Sequence, residues 1–274
     1  MIEVWRRALT TVRERRSVIL GYHGVGVSPY AEDPFCLRVP PAAFRTHLDL
    51  LGGAGFEFVT VAQLARRAAG SAPPAGMAAL SFDDGMRDNH ATLLPILRER
   101  GLPATVYIVS GLVGKPNPWL SPTSAERMMT EVEIRELADA GVEIGAHTVT
   151  HPDLTTLDHD ACLRELTGSR RDVERIVGIA PSTFAYPYCR YGETAVVAAR
   201  AAGFAAAVTG EGRGSWSQFE LKRAMVSGRD GLATFVLKLV DAYQPLFDSP
   251  PGRLGRVATR GVRRRLRARR ERLV

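Results

Sequence analysis

Long apolar runs are missing from this 274-residue chain: no stretch approaches the roughly 20 consecutive apolar residues that a bilayer span requires. The opening stretch, MIEVWRRALTTVRERRSVILGYH, scatters arginines where a secretory signal would keep an apolar block, so no leader is expected. Cysteine is scarce as well. Cys36, Cys162 and Cys189 are odd in number and lack short metal-knuckle spacing, which argues against a disulfide framework and for a reducing compartment. A cytoplasmic location is the expectation, with the inner membrane face as a place of peripheral attachment. There is no internal repeat, and 45% hydrophobic with 24% charged residues is ordinary soluble composition rather than disorder or a fibre.

Basic residues are concentrated at the ends. The net charge is +7, yet residues 253–274 alone carry ten Arg against one Glu (+9) and residues 1–16 carry five Arg against two Glu (+3), leaving −5 for 17–252. An acidic body argues against a specific nucleic-acid interface, where the folded surface itself should be basic. The Arg-rich tail suits an anionic membrane surface or is simply solvated. The expected organisation is a basic N-terminal segment at 1–16, a catalytic domain at 17–248 and the tail at 249–274.

Within the body, β-rich runs alternate with helical patterns. Strands are expected at 17–23, 56–61, 78–84, 103–110, 142–147, 182–187 and 204–209, several of them apolar almost throughout, as strands covered on both faces should be. Helices are expected at 41–55, 89–101, 130–141, 157–178 and 192–203, each with apolar residues three or four apart and a glycine near its end. Such alternation indicates a parallel α/β sheet or barrel, in which chemistry sits where strands run out into loops at their C-terminal ends.

Two constellations fall at that end. In ALSFDDGMRDN, Asp83 and Asp84 follow an apolar strand and precede Gly85. Asp88 and Asn89 are better placed to start the next helix, so capping does not explain the pair, and a cation does. In GAHTVTH, His147 and His151 follow another strand, and the β-branched Thr148, Val149 and Thr150 with Pro152 favour a loop over a helix. One carboxylate and two imidazoles form a three-ligand set with an open position, the pattern of catalytic zinc. Asp84, His147 and His151 are therefore the expected metal ligands, with zinc first and cobalt, nickel or iron as alternatives. Asp83 is left beside the ion as a base for a water whose pKa the ion lowers from about 15.7 toward 7.

These motifs resemble the polysaccharide deacetylase (NodB-homology, carbohydrate esterase family four) domain. SFDDG is similar to its first motif and HTVTH to its second, and ILGYHGV, FRTHLDLLGGAGFEFVTVAQL, HPDLTTL and STFAYPY extend the agreement over roughly 17–240. The resemblance implies a distorted (β/α)7 barrel and hydrolysis of an N-acetyl, less often O-acetyl, group on a sugar, glycan or lipid-linked saccharide. It implies Asp83 as base and Asp84, His147 and His151 as metal ligands. In the third motif, FAYPYCRYG puts Ala185 and Tyr186 where many members have Arg and Pro, so the arginine that orients the base is missing, although Arg190 is near in sequence. Pro187 and Tyr188 remain, and the Tyr188 N–H is the implied oxyanion donor. The Leu-x-His that supplies the acid in many members is also absent from LKRAMVSGRDGLATF. Either another group serves, with His23 of GYHGV the first candidate, or catalysis is weak.

His90 is expected at a helix surface or behind the site, His47 and His159 at the surface. Trp119 and Trp216 are loop residues that either stack on sugar or cover loop cores. The alternative functions are hydrolysis of another linear or cyclic amide on the same site, and a non-catalytic carbohydrate-binding relative.

Overall fold

The computed structural model describes residues 2–68, 71–121, 124, 126–210 and 216–240. The Arg-rich tail and residues 241–248 lie outside them. All seven expected strands form: β1 (Val18–Tyr22), then, after two short strands β2 (Gly24–Val25) and β3 (Arg38–Val39), β4 (Glu57–Val59), β5 (Met77–Phe82), β6 (Thr105–Ile108), β7 (Glu143–Ala146), β8 (Thr183–Ala185) and β9 (Ala206–Val208), with a further short β10 (Ala224–Met225). The main sheet runs β10-β1-β5-β6-β7-β8-β9, every pairing parallel, and β4 adds to β5. β5 shares one edge between two neighbours, β4 along Met77–Ala79 and β6 at Ser81–Phe82.

The sheet curls into the expected distorted barrel, and the seam is closed by residues 221–225. Leu221 N–H donates to Ala207 O and Thr209 N–H to Leu221 O, both at 2.9 Å. Three residues later Ala224 and Met225 pair with Leu20 and Gly21 of β1. Side chains then alternate between lumen and exterior with the strand period of two. On β5, Met77 and Ala79 point into the inner cluster with Ile19, Tyr107, Ala185, Ala206 and Val208, while Ala78, Leu80 and Phe82 join the outer core. That parity carries Ser81, and beyond the strand end Asp83, toward the lumen. Gly145 of β7 is required by this packing, because a Cβ there would lie 2.4 Å from the Tyr107 ring.

Helices cover the outside: α1 (Ile2–Arg15), α2 (Pro41–Gly53), α3 (Val61–Ala68), α4 (Leu94–Arg100), α5 (Glu131–Asp139), α6 (His159–Val177), α7 (Glu193–Ala201) and α8 (Leu232–Leu239). Val61, Leu64 and Ala65 of α3 belong to the inner cluster. α5 opens with a full capping box between Thr130 and Glu133. α4 follows a π turn at Asn89–Leu93, next to Pro95, which has no N–H to continue the ordinary ladder. The basic segment at 1–16 is part of the fold: it forms α1, which packs on α2 and α8 and buries Leu9 and Val12 in the main core.

His47 differs from the surface position expected of it. It lies three residues after Phe44 and four before Leu51, on the buried stripe of α2. Its ring stacks on Phe235 at 3.9 Å, and its Nδ1 lies 3.3 Å from the Tyr22 hydroxyl. His159 is exposed at the start of α6. His90 sits in a surface ion network with Glu133 and Glu136. Among the described residues no helix is long and apolar enough to cross a membrane, and the three cysteines are free thiols.

Candidate active site

The two adjacent carboxylates are separated by a backbone turn. Asp83 N–H still donates to Tyr22 O at 2.9 Å, one residue past the β1–β5 pairing. Asp84 then takes φ of 73° and Gly85 φ of 78°. The left-handed region is uncommon for a non-glycine residue, and Asp is among those that enter it most readily. The turn sends Asp83 and Asp84 to different partners.

Asp83 meets Arg223, on the segment that closes the barrel. The guanidinium forks onto both carboxylate oxygens at 2.7 Å, and its remaining donors reach Ser81 Oγ at 3.1 Å and Thr209 O at 2.9 Å. The Arg223 side chain is fully buried. Burial works against charge on Asp83, but Arg223 outweighs it and holds the carboxyl well below the usual range. Arg190 takes no part in this: it is exposed and pairs with Asp153 at 2.7 Å. Single-sequence spacing gives no hint of a partner 140 positions away from Asp83, and a Lys-Arg pair before a short apolar run reads as a solvated edge.

Asp84 faces the two histidines. Its Oδ1 is 3.5 Å from His147 Nε2 and 3.6 Å from His151 Nε2. One ligand atom from each of the three residues lies within 4.8 Å of the others. His147 leaves β7 with its N–H on Ile108 O. Its Nδ1 lies 2.7 Å from Ala185 O, to which it donates, and this turns Nε2 toward Asp84. The backbone of the third motif thus orients the second. The loop that brings His151 back is irregular, as expected, with positive φ at Thr148 and His151. It is held by Glu165 of α6, which accepts from the N–H groups of Val149 and Thr150 at 2.8 and 2.9 Å. Thr148 Oγ1 accepts the His151 N–H at 3.0 Å. Burial, followed by the charge of His147, lowers His151 to about 4, so its ring is neutral at ordinary pH. Burial also opposes charge on His147, but Asp84 and Asp83 raise it overall.

The donor set fits a divalent ion. Two imidazole Nε2 atoms turned inward and one carboxylate oxygen, all nearly buried, are what a three-ligand catalytic site uses, and a cation there would also relieve the crowding of Asp83 and Asp84. Around it stand three further expected residues. Tyr188 has φ of 56° and lays its ring edge-on to His151 at 4.6 Å. Trp119 meets the same imidazole from another loop at 4.9 Å. His23, at the end of β1, lies within electrostatic reach of both Asp83 and His151, and its carbonyl accepts from Asn89 Nδ2 at 2.9 Å. Trp216 instead packs against the inner apolar cluster.

A family model for polysaccharide deacetylase matches residues 70–207. The chain is 27% identical over 230 residues to YxkH of Bacillus subtilis, provisionally named a polysaccharide deacetylase, covering 82% of this chain and 77% of that one. It is 35% identical over 115 residues to the chitooligosaccharide deacetylase of Rhizobium leguminosarum bv. trifolii, covering 41% of this chain and 45% of the relative. Among solved structures, the Streptococcus pyogenes deacetylase PplD, in complex with acetate, superposes with a TM-score of 0.69 at 24% identity, covering 82% of this chain and 98% of that one. IcaB from Ammonifex degensii superposes with a TM-score of 0.67 at 22% identity over 84% and 97% of the two chains. At these identities the structural likeness is one of fold.

Proposed function

The chain belongs to the polysaccharide deacetylase family, and from that premise we propose that it is a metal-dependent hydrolase that removes the acetyl group from an N-acetylated sugar or glycan, releasing acetate and a free amine. Asp84, His147 and His151 would hold the ion, zinc being the best match to an Asp-His-His set. A divalent ion in such a site polarises a carbonyl and makes a water acidic near neutral pH.

The chain's own groups supply the rest. Asp83 accepts the proton of the attacking water, and Arg223 keeps the carboxylate ionised and fixed in orientation. The Tyr188 N–H is the candidate donor to the developing oxyanion; such a donor contributes on the order of 3 kcal/mol. His23 is the candidate acid for the departing amine. It replaces the C-terminal histidine that this sequence lacks.

The observation that carries the reading is the meeting of Asp84, His147 and His151 within 4.8 Å, beside an aspartate locked to a buried arginine. The test pairs metal analysis of the purified protein with acetate release from N-acetylglucosamine oligomers. Asp83→Asn should abolish acetate release while the metal content stays at the wild-type level. Full activity in Asp83→Asn would overturn the mechanism.

A further inference from the structure

The loop between β2 and β3 displays apolar side chains that the fold does not use. Val27 is 80% exposed, and Tyr30 and Phe35 are each 65% exposed. The loop itself is tightly built. Asp33 is buried: its N–H donates to Pro29 O, and its two carboxylate oxygens accept the N–H groups of Leu37 and Arg38, all at 3.0 Å. Cys36 N–H donates to Asp33 O at 3.1 Å. Arg38 anchors the loop base through Asp88 at 2.7 Å and Ser28 at 2.6 Å. Arg229, six residues beyond Arg223, lies over the Tyr30 ring at 5.2 Å and donates to Pro34 O at 3.3 Å. Tyr30 and Phe35 are therefore presented by a preorganised frame.

This frame adjoins the candidate site on two sides. It begins three residues after His23. Glu32 O accepts the N–H of Ser121 at 2.8 Å, two residues from the Trp119 that touches His151. We propose that loop 26–37 binds the same glycan chain away from the unit being deacetylated, with Tyr30 and Phe35 stacking on sugar rings, so that the enzyme prefers oligomers over short saccharides. The inference rests on the deacetylase reading and names the size class of its substrate. Three features favour a sugar chain as the occupant. The aromatic faces are rigid, and so lose little freedom on binding. The loop that carries them is bonded to the Trp119 segment, Ser121 N–H donating to Glu32 O. And residues 26–37 carry Glu32 and Asp33 with no Lys or Arg of their own, while Arg229, packed on the loop, is already engaged by the Tyr30 ring, Pro34 O and Cys36 Sγ, a poor match to an anionic lipid surface.

The test compares β-1,4- and β-1,6-linked N-acetylglucosamine disaccharides and hexasaccharides on the full chain. Binding is measured by calorimetry in an Asp83→Asn background, and acetate release in the wild-type background. The double variant Tyr30→Ala/Phe35→Ala should bind the better hexasaccharide about tenfold more weakly and leave disaccharide affinity unchanged. kcat/KM for the hexasaccharide should fall by the same factor with kcat preserved, and Tyr30→Phe should behave as wild type. An equal loss on both lengths, no loss on either, or hexasaccharide binding no tighter than disaccharide binding in the parent protein would overturn the proposal. So would a loss of binding to anionic phospholipid vesicles with oligosaccharide affinity intact. If the parent protein releases no acetate while hexasaccharide affinity still depends on the two rings, the deacetylase reading fails and the binding site stands.

Discussion

The Asp83–Arg223 pair is buried on both sides, so removing the arginine leaves an uncompensated charge. Arg223→Met should destabilise the protein by about 3–5 kcal/mol at neutral pH. Asp83 titrates lower in the folded than in the unfolded chain, so the unfolded state takes up its proton first. The stabilisation is complete above about pH 4 and drains away as pH falls further. Urea denaturation of wild type and Arg223→Met should therefore give curves that differ most near neutrality and converge in strong acid. His47 behaves in the opposite sense to an ordinary surface histidine. Burial lowers it to about 4, so the unfolded chain binds the extra proton as pH drops from about 6.5 to about 4, and stability falls with it, by at most roughly 3 kcal/mol. His47→Met should flatten that part of the stability–pH profile, measured by urea denaturation between pH 7 and pH 4.5.

At the scale of elements, the short β2–β3 ribbon depends on a buried ion pair rather than on its length. Asp88, expected with Asn89 to start the helix that follows, makes no side-chain cap and instead bonds Arg38, with both side chains less than a tenth exposed. Gly24 makes room for it: a Cβ there would lie 2.5 Å from Asp88 Oδ2. Gly24→Ala should thus loosen the ribbon, and Arg38→Met should cost about 3–5 kcal/mol by stranding Asp88. Limited proteolysis within 26–37, slow in the parent protein, should become fast in both variants. α5 offers a milder case: Thr130→Ala removes one half of a capping box and should lower stability by about 1 kcal/mol in thermal denaturation, with acetate release unchanged.

For the molecule as a whole, the seven main strands were legible as β-rich, largely apolar runs and five of the helices by their period, and glycines mark where most of the helices stop. α1 escaped notice because its apolar stripe is short and interrupted by arginines, although Leu9 is fully buried; Leu9→Ala should cost about 2–5 kcal/mol in chemical denaturation. The two-residue strands β2, β3 and β10 fall below the length at which alternation can be read. The histidine and aspartate motifs were readable because the candidate ligands and the strand ends are neighbours in sequence. Arg223 was not, because its meaning comes from a contact made only when the sheet closes on itself. That closure has a consequence for synthesis on the ribosome. A nascent or clipped chain ending before residue 221 would already hold Asp84, His147 and His151, yet Asp83, the proposed base, would lack the guanidinium that fixes its orientation. Hydrolytic competence would arrive only when the last strand locks into place, making activity a built-in report that the barrel is complete.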